Sequence, residues 1–140
     1  MIGRLKRWHA QRGALPDGLR AELAAEGIEL LEERLRGTVL FRGYVVHGQR
    51  PRSGHQNVLA ALALTERRLV VHGTGAIRLD VPRGASWLEL ELAAPDRLRL
   101  AYDAQAAHPG RAGDVEMVLN TPRAADIHAR LQAWMATRSS

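Results

Sequence analysis

Cysteine is absent from the 140 residues. That excludes disulfides, thiolate metal sites and a cysteine nucleophile. Aromatic residues are scarce, with one Phe, two Tyr and three Trp. No aromatic row is available for stacking bases. Lysine is all but missing: of 20 basic residues only Lys6 is a lysine, and the others are arginines. No apolar run approaches the roughly 20 residues that span a bilayer. Nor is the basic start, Met1 to Trp8, followed by the apolar stretch of about 7–15 residues that a signal peptide needs. A cytoplasmic protein is the expectation.

What is present is an ordinary globular composition, 46% hydrophobic and 25% charged, in a length that suits one domain. The formal charge of +5 invites a nucleic-acid reading, but its distribution argues against one. Arg4, Lys6, Arg7 and Arg12 carry +4 of that +5, and the remainder is close to balance. Nucleic acid is therefore not an expected partner.

The segment Val58–His72 (VLAALALTERRLVVH) organises the chain. Two apolar, strand-length runs flank Thr65-Glu66-Arg67-Arg68, the pattern of a tight antiparallel pair around a turn. Before it, residues 1–16 read as an appendage. Ile2, Leu5 and Trp8 fall at helical spacing, and Gly13 and Pro16 end the run. Asp17–Glu26 reads as a short helix with Asp17 as N-cap and Gly27 as stop. From Ile28 the set Leu31, Glu33, Leu35, Gly37, Val39, Phe41 alternates with polar residues. A long bent strand is implied, with Gly37 and Gly43 marking bulges or sharp bends; a helix over Ile28–Arg36 competes with it. His47–Asn57 is the polar loop. Alternation then predicts strands at Ala76–Val81, Leu88–Leu92, Leu98–Tyr102 and Val115–Leu119, with Ala104–Gly113 as a loop. Thr121 and Pro122 start a C-terminal helix whose apolar face is Ala124, Ile127, His128, Leu131, Trp134 and Met135. The fold class is mainly β (α+β): seven antiparallel strands in a barrel or sandwich capped by a C-terminal helix. Residues 1–27 form an N-terminal helical extension and 28–140 the domain.

Seven strands and a closing helix with a buried Trp resemble the pleckstrin-homology-like (PH-like) fold. Leu64-Thr65-Glu66-Arg67-Arg68-Leu69 is similar to the "L-T-x-x-R-L" strand–turn–strand of bacterial PH-like and GRAM-like domains. The resemblance covers about Ile28 to Thr137. It implies a binding module for lipids, peptides or other subunits rather than an enzyme. It also implies an anion- or lipid-binding loop at Arg42, His47, Arg50, Arg52 and His55. There Arg50 and Arg52 present guanidinium forks, and Gly48 and Gly54 let backbone amides approach. The lysine-rich spacing of phosphoinositide binders is missing.

Catalytic and metal chemistry find no assembled group. The six histidines show no H-x-x-x-H or H-E-x-x-H spacing. Glu32-Glu33, Glu89 and Glu91 read as solvent-facing strand positions, and Asp80 and Asp103 as turn-bonded strand ends. Ser53 and Ser86 lack a nucleophile elbow. We therefore expect no enzyme, no cofactor and no metal. The expected function is a non-catalytic scaffold that engages a protein partner or self-associates. The alternative is a peripheral module at the inner membrane face, binding anionic lipid headgroups. It would dock through Arg4, Lys6, Arg7 and Trp8 together with the 47–57 loop.

Overall fold

The structure is a computed structural model, and it describes residues 12–46, 48–74 and 77–136. Arg4, Lys6, Arg7, Trp8 and His47 lie outside the described residues. The elements are α1 (Asp17–Glu26), β1 (Ile28–Val46), β2 (Arg52–Thr65), β3 (Arg68–Gly73), β4 (Ile77–Pro82), β5 (Glu89–Ala94), β6 (Arg97–Asp103), α2 (Ala104–Ala107), β7 (Arg111–Asn120) and α3 (Ala124–Ala136). The strands form a seven-stranded antiparallel sheet in the order β4-β3-β2-β1-β7-β6-β5. The chain is thus mainly β, with one C-terminal helix and a short helix before the first strand. The contacts divide it into two compact units. One holds the described residues up to Leu35 with Val58–Pro82; the other holds Arg36–Asn57 with the described residues from Arg83.

In the first unit, the hairpin pairs Leu62 with Val71 and Leu64 with Leu69, and β4 continues those rows through Leu79 and Val81. All six side chains are buried. Ala61, Ala63 and Val70 alternate onto the opposite face, where Leu15 and Leu23 pack on them, ringed by Leu19, Ile28 and Leu31. That double coverage explains why Ala60–Leu64 reads as an unbroken apolar run. The two alanine methyls leave room for α1 to lie close. Gly27 ends α1 at φ 94°, its N–H donating to Leu23 and Ala24 carbonyls.

The turn between β2 and β3 is fastened to this helix. The Thr65 hydroxyl accepts from the Arg67 and Arg68 amides at 3.1 and 3.2 Å and donates to Glu26 Oε1 at 3.0 Å. The Arg68 guanidinium binds both Glu26 oxygens, with Nη2 at 2.7 Å from Oε2, and reaches Asp80 at 2.7 Å and Glu22 at 3.0 Å. Asp80, read from sequence as a turn-bonded strand end, is instead an ion-pair partner. Glu33 likewise accepts from the Leu15 amide at 2.9 Å and from Arg20 rather than facing open solvent.

Burial along β1 does not follow the expected alternating set throughout. Leu30 is buried, Leu31 packs in the α1 cluster, and beyond Arg34 the buried positions are Leu35 and Val39. Arg34 has φ 58°, and its amide donates to the Gly13 carbonyl at 2.7 Å. At Gly37 the pairing of β1 with β7 runs on without a register shift. A Cβ there would strike the Val118 carbonyl of β7, so Gly37 permits close strand approach.

In the second unit, Val39, Met117 and Leu100 form one buried row across β1, β7 and β6. Helix α3 packs against β5 and β6 and buries Ala124, Ile127, Leu131 and Trp134. His128 and Met135, expected on the same face, are half-buried at its margin. The loop expected over Ala104–Gly113 contains the single turn α2, and β7 already begins at Arg111.

Candidate functional site

The polar face of β1, β7, β6 and β5 is built by register. Arg42 stands opposite Asp114, and Asp114 opposite Asp103. One row further, Leu40, Glu116, Ala101 and Glu89 align across the four strands. Arg99 sits among these carboxylates, with Nε 3.1 Å from Glu116 Oε1 and Nη1 3.3 Å from Glu91 and 3.8 Å from Glu89. The Glu116 hydrogen bond foremost, against the opposing effect of burial, raises the already high Arg99 pKa. This arginine is a fixed, fully charged cross-brace.

Apart from Glu91, these residues line a cleft of about 320 Å³ together with Trp87, Tyr102 and Val115. The Trp87 and Tyr102 rings meet edge-on, 6.1 Å between centroids at 64°. Burial, with a smaller contribution from Tyr44 and opposed by Arg111, pushes the Tyr102 phenol up to about 12. Tyr102 is therefore a neutral wall at physiological pH. Asp103 Oδ1 accepts from the Gln105 amide at 2.8 Å and so caps α2. Near Arg42 and Asp114 the β1–β7 register shifts. Gly43 has φ 60° there, and Gly113, at φ 104°, lies so close that a Cβ would come 2.5 Å from the Gly43 carbonyl oxygen. The Gly43 bulge expected from sequence is thus present, and it needs a second glycine across the strand pair.

Of the residues expected to form one anion site, His47 lies outside the described residues and the others are placed as follows. Arg42 lines the cleft. Its neighbour Phe41, whose side chain leaves the opposite face of the strand, lines a separate pocket of about 170 Å³ with Arg52 and His55. Arg50 is exposed in the turn that follows β1, where the Gln49 amide donates to the Val46 carbonyl at 2.9 Å. The polar loop is also shorter than its composition suggests, because β2 starts at Arg52. Ser53 serves that start by accepting the Gly43 amide at 3.0 Å.

Sequence reasoning did not find the cleft. Glu89, Glu91 and Glu116 alternate with apolar residues, which by itself describes any half-exposed strand. Their convergence with Asp103 and Asp114 depends on cross-strand register. Trp87 carries the one local signal, a large aromatic placed just before an alternating strand. Among the described residues, no group of three or more His, Asp or Glu is placed to hold a metal ion. No family model, curated protein or solved structure matches the chain.

Proposed function

We propose that this chain is a non-catalytic, PH-like binding module that engages a protein partner through the cleft lined by Trp87, Tyr102, Arg42, Asp103, Asp114 and Glu116. The PH-like part of the reading is supported by seven antiparallel strands followed by a packed helix. It is supported too by the L-T-x-x-R-L segment, whose Thr65 and Arg68 form the β2–β3 turn and both bind Glu26. The observation that carries the binding reading is the cleft: an open concavity with two rings on its wall and carboxylates braced by Arg99. Ligand sites combine apolar or aromatic surface with a few converging polar groups in this way. A protein segment fits it better than a lipid headgroup, because Arg42, its one arginine not engaged in an ion pair among the described residues, stands among four carboxylates.

A random-peptide display selection on the full chain tests this. Enriched sequences should bind wild type and lose affinity for Trp87→Ala. A selection that enriches nothing, or only binders indifferent to Trp87→Ala, removes the reading.

A further inference from the structure

The cleft has a charge opposite to that of the protein that carries it. Four carboxylates, Glu89, Asp103, Asp114 and Glu116, face two guanidiniums, Arg42 and Arg99, on a chain of formal charge +5. The two arginines do not neutralise it evenly. Arg99 is committed to Glu116, Glu91 and Glu89 at the β5 side. Asp103 and Asp114 sit directly opposite each other on β6 and β7, and neither forms an ion pair among the described residues. Arg42 is the register neighbour of Asp114 but does not close a salt bridge with it. Like charges directly opposed across two strands destabilise the sheet, and a cation delivered from outside relieves that repulsion. An independent feature of the same cavity points to the same ligand. The Trp87–Tyr102 ring pair offers an aromatic wall, and aromatic faces attract guanidinium and ammonium groups.

We infer that the cleft takes a basic side chain, arginine by preference, from an extended segment of the protein partner, with Asp103 and Asp114 receiving the charge and Trp87 the flat face of the cation. Arginine suits the place better than lysine: its planar fork spans two carboxylates and stacks on a ring. This inference rests on the binding-module reading and goes beyond it by naming what is bound.

The test is a nitrogen-15 NMR titration of the full chain with acetyl-Gly-Arg-Gly-Arg-Gly-amide and with the same peptide carrying glutamine for arginine. The arginine peptide should shift the Trp87 indole and the Asp114 and Ala101 amides, and the glutamine peptide should not. Asp103→Asn with Asp114→Asn should weaken binding by about fivefold or more, and high salt should do the same. Both aspartates are exposed, and asparagine can still cap α2, so the doubly substituted chain should keep its spectrum elsewhere. Equal binding of the two peptides, no shift with the arginine peptide, or an affinity untouched by the double substitution overturns the inference. None of these results bears on whether the display selection yields Trp87-dependent binders, so the two readings fall separately.

Discussion

Arg68 shows how much a single side chain can hold. Its side chain is 16% exposed and that of its bidentate partner Glu26 is 14% exposed. This pair is worth more than a surface salt bridge of about 0–1 kcal/mol. Removing one partner stops short of the roughly 3–5 kcal/mol seen for fully buried pairs, since water still reaches the site. Arg68→Ala should therefore cost about 2 kcal/mol, measured as a lower urea midpoint at pH 7 with unchanged slope. The pH dependence follows from the same contact. The Arg68 hydrogen bond holds the Glu26 carboxyl below its ordinary value of 4.5, against the upward push of burial and with help from the Thr65 hydroxyl. A depressed folded-state pKa contributes stability in full above the unfolded value and loses it as pH falls through the folded one. The gap between wild type and Arg68→Ala should hence be constant from neutral pH to about 4.5 and close progressively below it. A gap that persists at pH 2 would contradict the assignment.

At the scale of elements, α1 and α3 use the same device on different surfaces: one apolar stripe set on strands. Leu131 of α3 and Leu23 of α1 are fully buried, whereas His128 lies at the margin of its helix. Leu131→Ala and Leu23→Ala should each cost about 2–5 kcal/mol, with His128→Ala below about 1 kcal/mol, by chemical denaturation. Equal effects of Leu131→Ala and His128→Ala would mean that the stripe is misplaced. The stripe of α3 was legible in the sequence because its apolar residues keep a 3.6 period, although the helix begins at Ala124 and not at the expected Thr121-Pro122 start. Strand positions were legible for the same reason, each alternating run being closed by a glycine, a proline or a polar cluster. What was not legible depends on contacts distant in sequence. The positive φ of Arg34 goes with a Gly13 carbonyl that receives its amide, and nothing local to Glu32–Leu35 announces it. The β2 start at Arg52 depends on Ser53 meeting Gly43. The cleft itself is the largest omission, because Asp103 and Asp114 become neighbours only once β6 and β7 are paired in register.

Over the whole molecule, charge is the property that separates the readings. Residues 1–16 carry +4 of the formal +5, the sequence beyond them is nearly neutral, and the cleft is acidic. No helix among the described residues is long and apolar enough to cross a membrane. Cations carried by the chain are a source of attraction to an anionic surface. Each Lys or Arg held at such a surface contributes about 1 kcal/mol, fading within a Debye length of about 10 Å at 0.1 M salt. Arg4, Lys6 and Arg7 are clustered in sequence. Arg50 and Arg52 are exposed, but Arg42, the third arginine expected beside them, lines the cleft with four carboxylates. Vesicles containing phosphatidylserine should thus retain the full chain at low salt only through the first group. Substituting Arg4, Lys6 and Arg7 by glutamine should remove about 3 kcal/mol, more than a hundredfold in partitioning. Arg50→Gln with Arg52→Gln should leave sedimentation within about twofold, because two solvated arginines without Arg42 beside them make no concentrated patch. If the second pair of substitutions abolishes co-sedimentation while the first does not, the 47–57 segment is a lipid site after all, and the protein-partner reading loses its advantage over the membrane one.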